Sequence, residues 1–207
     1  MYLTVTTRSA RTLLDSRTPL RYLAHTQGDH DFDASLRITK EVLAECMHAL
    51  VTAGVDLDAI LLKPQMVSPG VDNKDQARCP GRIARCTLMA LRETVPPAVK
   101  GIMFLSGGQT EYQSTINLNY LNVVSKAYPD EYAVPYALSF SFGRGLQASV
   151  LEMWRRGESS EACMNKAEEI ARVNGLAARG AFVEETGGHP TVLPMTGNLQ
   201  ETFRGVY

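Results

Sequence analysis

Ile60-Leu61-Leu62-Lys63-Pro64-Gln65-Met66-Val67 is a short apolar run with one lysine near its middle and a proline directly after it. A run of this length, closed by the turn residues Ser68-Pro69-Gly70, predicts a buried strand. Pro64 drives the residue before it out of the α region, so Lys63 sits on extended backbone. A lysine held in an apolar strand loses the water around its ammonium. That favours the neutral amine, a nucleophile for carbonyls. The other reading is a strand-end lysine whose head reaches solvent.

Around this run the chain alternates. Gly28-Asp29-His30-Asp31 is a turn rich in helix caps, and Asp31 or Asp33 can cap a helix running to about Ala53. Leu36, Leu43, Met47 and Leu50 form its inward stripe, and Gly54 stops it. A polar loop, residues 68–75, follows the Lys63 strand. A second helix is expected over about 82–94, with Ile83, Cys86, Ala90 and Leu91 inward and Pro96-Pro97 beyond its end. Gly101 to Leu105 predicts a second strand, ending in Ser106-Gly107-Gly108-Gln109. Thr110 and Gln113 make a capping box, so a helix starts there and runs to about Lys126. After a loop at 128–131, Tyr136 to Phe142 predicts a third strand. Gly143-Arg144-Gly145 then opens a helix through about Arg155, with Leu146, Val150 and Trp154 as its buried stripe. A last helix is expected over about 160–179, ending at Gly180, and Ala181 to Tyr207 reads as an extended tail.

Continuous apolar strands alternating with helices imply an α/β fold with parallel strands, either a (β/α)8 barrel or an open doubly wound sheet. Both place functional groups at strand C-termini. Here those groups are Lys63, Ser106-Gly107-Gly108 and Arg144. A glycine turn between strand and helix offers backbone N–H groups to a phosphate, and Arg144 adds a guanidinium at a second strand end. A plain tight turn is the competing account of the glycines.

Composition narrows the function. The 207 residues suffice for one domain with a substantial core; 44% are hydrophobic and 21% charged. A net charge of −1 gives no global case for nucleic acid or an anionic membrane. Cys46, Cys79, Cys86 and Cys163 form no CxxC pair, and His25, His30, His48 and His189 are isolated. Neither a zinc framework nor a disulfide scaffold is implied, and a reducing compartment fits. Residues 1–27 stand apart. They hold Arg8, Arg11, Arg17 and Arg21, are rich in hydroxyls, and contain a single acid, Asp15. That is transit-peptide composition, or else an irregular leader.

Three stretches carry a resemblance. Leu61 to Val67 resembles the Schiff-base segment of class I fructose-1,6-bisphosphate aldolases. Val95 to Gln109 is similar to that family's seventh strand and phosphate loop. Phe140 to Ser149 is similar to its eighth strand and phosphate-binding arginine. The resemblance covers about 28–182, and the terminal Tyr207 matches a family whose chain also ends in a functional tyrosine. It implies an imine between Lys63 and the substrate ketone, with Tyr207 assisting proton transfer. Ser106, Gly107, Gly108, Gly143 and Arg144 would hold a substrate phosphate. It implies reversible cleavage of fructose 1,6-bisphosphate in glycolysis, with no metal or organic cofactor. The implied setting is cytoplasmic and, if the full barrel is present, homo-oligomeric, tetrameric as in the family.

The departures from the family matter equally. A (β/α)8 barrel takes about 250 residues, and only the last three strands of the family's barrel are matched. Arg21 stands where the family carries a glutamate that serves in imine formation, and the family's earlier catalytic aspartate and lysines have no counterpart. The expected architecture is therefore a partial (β/α)8 barrel of three β/α units over 28–182. A flexible tail over 183–207 follows it, and a non-homologous leader over 1–27 precedes it. The leader is better explained by a truncated or mis-assembled gene product than by a transit peptide. The alternative function is a non-catalytic aldolase remnant that binds partner subunits through open strand edges.

Overall fold

The computed structural model describes residues 28–73, 79–186 and 189–191. Helix α1 (Phe32–Thr52) starts where a carboxylate can cap it: Asp31 accepts from the Ala34 amide at 2.7 Å. Of its expected stripe, Leu43, Met47 and Leu50 are buried, while Leu36 packs at the margin of the core. Gly54, at φ +69°, turns the chain out of the helix. Strand β1 is Leu61–Leu62 only, shorter than the apolar run. The reason is Pro64, which has no N–H to extend the ladder. Its carbonyl still accepts from the Leu105 amide at 3.1 Å.

Helix α2 (Pro80–Thr94) begins two residues earlier than the apolar spacing implies, because Pro80 is pre-set for a first helical position. Strand β2 (Gly101–Phe104) leads to α3 (Glu111–Ala127), whose Thr110–Gln113 capping box is formed as expected. Residues 129–132 are not a loop but a helical turn, α4 (Pro129–Tyr132). Pro129 sets its first torsion, and the Tyr132 amide donates to the Tyr128 carbonyl at 2.8 Å. Strand β3 (Ala137–Phe140), α5 (Arg144–Arg155) and α6 (Ser160–Ala177) complete the α/β part. The tail region carries two further short strands, β4 (Glu184–Thr186) and β5 (His189–Thr191), paired antiparallel.

The sheet is parallel in the order β1-β2-β3, with Leu61, Gly101 and Ala137 in one row and Leu62, Ile102 and Leu138 in the next. Its two faces differ. Leu62, Ile102, Phe104 and Leu138 join Ile83, Leu88, Leu91, Leu118 and Leu121 in one buried cluster. On the other face Leu61 is 45% exposed, Ala137 is exposed, and Met103 and Ser139 are half-buried. Parallel strands normally read as continuous apolar runs because both faces are covered. Here burial alternates, since helices cover one face only among the described residues.

Helix α3 is the centre of the packing. Every residue from Ser114 to Asn122 is buried, so its polar side chains must find partners inside the protein. The Asn122 amide donates to carbonyls of three elements: Leu118 in α3 at 3.1 Å, Leu138 in β3 at 3.4 Å and Ala177 in α6 at 3.2 Å. Thr115 donates to the Asn174 side chain of α6 at 3.1 Å. Asn119 clasps the Phe182 backbone on both sides, giving a hydrogen bond at 3.1 Å and taking one at 3.0 Å.

The outermost helix departs from its expected packing. Leu146 of α5 packs at the margin of the core, but Val150 is only half-buried and Trp154 is 70% exposed, so the stripe meets the core at its first turn alone. α5 meets α6 and α3 on one flank, and no described element lies over the other.

Asn122→Ala leaves the Leu138 and Ala177 carbonyls buried without this donor. It should lower the unfolding free energy by about 2–3 kcal/mol in urea denaturation. Tyr136 is buried at the start of the third strand region. Its hydroxyl donates to the Leu91 and Val95 carbonyls at 2.9 and 3.1 Å, and burial pushes its pKa up to about 12 although Arg92 pulls it down. A pKa raised above the unfolded value of about 10 contributes stability that is complete below pH ~10 and lost as pH rises towards ~12. Denaturation midpoints should fall across that window in the wild type and less steeply in Tyr136→Phe.

Candidate active site at the strand ends

The site is assembled at the C-terminal ends of β1, β2 and β3. Neighbouring strands lie about 4.8 Å apart, so groups following the three strands share one rim roughly 10 Å wide. Lys63 follows β1 directly. It is half-buried and lies past the strand, not enclosed within it, because the ladder stops at Leu62. This corrects the expectation of a lysine held inside an apolar strand. Its neighbours Pro64 and Met66 are buried, so the backbone carrying it is fixed.

Ser106-Gly107-Gly108-Gln109 follows β2 as a tight turn closed by the Gln109 amide donating to the Ser106 carbonyl at 3.0 Å. Gly107 and Gly108 have φ of +56° and +81°, the signature of a turn with two left-handed central residues. Glycine is therefore required here, beyond merely leaving space. A Cβ on Gly107 would also lie 3.0 Å from the Gln65 side chain, two residues beyond Lys63. Ser106 is buried, while Gly107 is half-buried and Gly108 exposed. Among the described residues neither glycine amide donates a hydrogen bond, so both remain able to do so.

Gly143 and Arg144 follow β3. Gly143 is the N-cap of α5, and its φ of −92° does not demand glycine. Arg144 occupies the first turn with its side chain exposed, and among the described residues it makes no ion pair. The glycine that matters sterically is Gly145. A Cβ there would lie 2.7 Å from Ser114 Oγ and 3.1 Å from Ser106 Cβ. The helix after β3 can therefore begin against the turn after β2. The start of α3 is also joined to the middle of α5, the Ser149 amide donating to Glu111 Oε1 at 2.8 Å.

The structure thus brings Lys63, Ser106, Gly107, Gly108, Gly143 and Arg144 to one end of one sheet. Tyr207 lies outside the described residues. Among the described residues no group of three or more His, Cys, Asp or Glu side chains could hold a metal ion. No helix there is long and apolar enough to cross a membrane. Gln65, Gln109 and Asn117, which brace the turn, were not identified from sequence. Their partners lie up to 43 residues away, as with Gln109 and Met66, and no local pattern announces such pairs.

Parallel strands joined by helical crossovers define an α/β protein, with these polar groups gathered at the strand C-termini. The chain belongs to the class I fructose-bisphosphate aldolase family. The family model described as "Fructose-bisphosphate aldolase class-I" matches residues 24–192, slightly wider on both sides than the motif-bearing 28–182. A fructose-bisphosphate aldolase of Drosophila melanogaster is 44% identical over 162 residues, 78% of this chain and 43% of the relative. The chloroplastic fructose-bisphosphate aldolase 2 of Arabidopsis thaliana is 41% identical over 159 residues, 76% of this chain and 38% of the relative. The Plasmodium falciparum aldolase, solved with TRAP and a small-molecule inhibitor, superposes with a TM-score of 0.69 at 35% identity. That match covers 78% of this chain and 44% of the other. The chain therefore spans less than half the length of these relatives.

The two glycine positions can be separated by experiment. Gly107→Ala should cost about 1–2 kcal/mol, since a left-handed torsion disfavours a side chain. Gly143→Ala meets nothing within 4 Å and should stay within about 0.5 kcal/mol of wild type. Denaturation midpoints of the two variants check the contrast.

Proposed function

We propose that residues 28–182 supply the last three β/α units of a (β/α)8 aldolase barrel, with 183–207 as its C-terminal tail and 1–27 as a leader, of which the family match takes in only 24–27. The activity of that barrel is reversible cleavage of fructose 1,6-bisphosphate to dihydroxyacetone phosphate and glyceraldehyde 3-phosphate. The observation that carries this reading is the placement of Lys63, the glycine turn and Arg144 after three adjacent parallel strands.

Lys63, as the free amine, attacks the C2 ketone, and loss of water gives a protonated imine. As the C3–C4 bond breaks, its electrons flow into that imine, and the C4 hydroxyl gives up its proton as the aldehyde leaves. Tyr207 assists protonation of the remaining enamine at C3, and hydrolysis frees Lys63. Ser106, the Gly107 and Gly108 amides, Gly143 and Arg144 hold a substrate phosphate. The base for the C4 hydroxyl belongs to strands other than β1–β3, so full turnover depends on groups beyond these. The protein is cytoplasmic, and where the full barrel is present it is homo-oligomeric, tetrameric as in the family.

The test is chemical trapping. The full chain incubated with dihydroxyacetone phosphate and borohydride should carry a reduced adduct on Lys63 by peptide mass spectrometry, and Lys63→Met should carry none. An unlabelled wild type would overturn the assignment of the site.

The half-covered sheet favours a second reading. With Leu61 and Ala137 exposed, the bare face suits a non-catalytic remnant that associates with intact aldolase subunits. That reading expects co-purification with such subunits and no turnover. A monodisperse, well-folded monomer would count against it.

A further inference from the structure

Three contacts tie the Lys63 segment to the glycine turn. The Pro64 carbonyl accepts from the Leu105 amide at 3.1 Å. The Gln65 side chain lies over Gly107. Gln109, the last residue of the turn, donates from Nε2 to Met66 Sδ at 3.7 Å. Gln109 does more than touch Met66. Its Oε1 accepts from Asn117 Nδ2 at 2.6 Å, and Asn117 is 3% exposed on the fully packed α3. One side-chain amide thereby spans three elements: the segment after Lys63, the turn, and the buried helix.

We propose that Gln109 is a positioning residue, anchored by Asn117, that fixes the Gly107–Gly108 turn relative to Lys63 and so sets the preference for a phosphorylated ketone. The proposal rests on the reading of Lys63 and the turn given above. The chemistry is direct. The two glycines have no side chains to pack, so the turn takes its position from its flanks. Ser106 is fixed on one flank by burial, and on the other flank Gln109 holds the turn through the Asn117 and Met66 contacts. Asn117 cannot swing away, because α3 is enclosed on every side. If the Gln109–Asn117 bond is removed, the glycine amides lose their fixed aim at a phosphate while Lys63 keeps its own backbone support.

The experiment compares two ketones on the full chain. Borohydride trapping at Lys63 is followed against concentration for dihydroxyacetone phosphate and for unphosphorylated dihydroxyacetone. The variants are Gln109→Met, Asn117→Leu and their double. Wild type should label at far lower concentrations of the phosphorylated ketone. Each single variant should raise the half-saturating concentration of dihydroxyacetone phosphate by about tenfold. Labelling by dihydroxyacetone should stay within about twofold, and the double variant should be no worse than Gln109→Met alone, because both substitutions remove the same Gln109–Asn117 bond. An unchanged preference in the variants overturns the proposal. So does an equal loss for both ketones, which is what a merely structural role would give. If the wild type labels with neither ketone, or shows no preference between them, the reading of the site itself fails, a different result from any failure in the variants. Inorganic phosphate titrated against the amide resonances of Gly107 and Gly108 gives a second readout: its binding should weaken by a similar factor in Gln109→Met, and unchanged binding there counts against the proposal.

Discussion

Asn122 holds the architecture together. A single side-chain amide in the buried face of α3 reaches its own helix, strand β3 and the end of α6. In a dry interior such a group costs stability unless it is paired, and here the pairing joins three elements that are far apart in sequence. Thr115 with Asn174 and Asn119 with Phe182 repeat the device along the same helix. An apolar helix in this place could bury as much surface. It could not dictate which carbonyl of β3 or α6 lies opposite which turn. The polar side chains of α3 therefore set the register between helix layer and sheet, and the strand ends inherit their relative heights from it.

The rim of the sheet shows what that register accomplishes. Lys63 lies past a two-residue strand, the glycine turn lies past β2, and Arg144 opens the helix after β3. Each group is on a loop or a helix start, yet each is adjacent to something rigid: Pro64 and Met66 for the lysine, Ser106 and Gln109 for the turn, Gly145 for the arginine. Gly145 is the tightest of these constraints, because Ser114 and Ser106 occupy the space a side chain would need. The opposite face of the sheet lacks comparable cover, and Leu61 and Ala137 remain in contact with water.

Much of this was readable from residues alone. The Asp31 cap, the Thr110–Gln113 box, the strand cores and the Gly54 stop all rest on short-range chemistry, and sequence displays short-range chemistry directly. The motifs around Lys63, Ser106 and Arg144 likewise carried the family, and the match over residues 24–192 agrees with them. What escaped has a common cause. The length of β1 depends on a proline that ends a ladder, and the helical turn at Pro129 on a fixed torsion in a stretch read as loop. The exposure of Trp154 depends on what lies beyond α5, and helical periodicity carries no information about neighbours. The bracing of the turn by Gln109 and Asn117 depends on contacts between segments remote in sequence. Periodicity marks a face as apolar; it does not say whether anything is there to meet it.

The unequal enclosure of the helices has a consequence for motion. α3 is surrounded, so its amides can exchange with solvent only when much of the protein opens, whereas α5 has a bare flank and can open locally at lower cost. Lys63 and the glycine turn are fastened to the first kind of element, and Arg144 rides on the second. The rim therefore combines a stiff part, carrying an amine and a glycine turn, with a yielding part that carries an exposed cation.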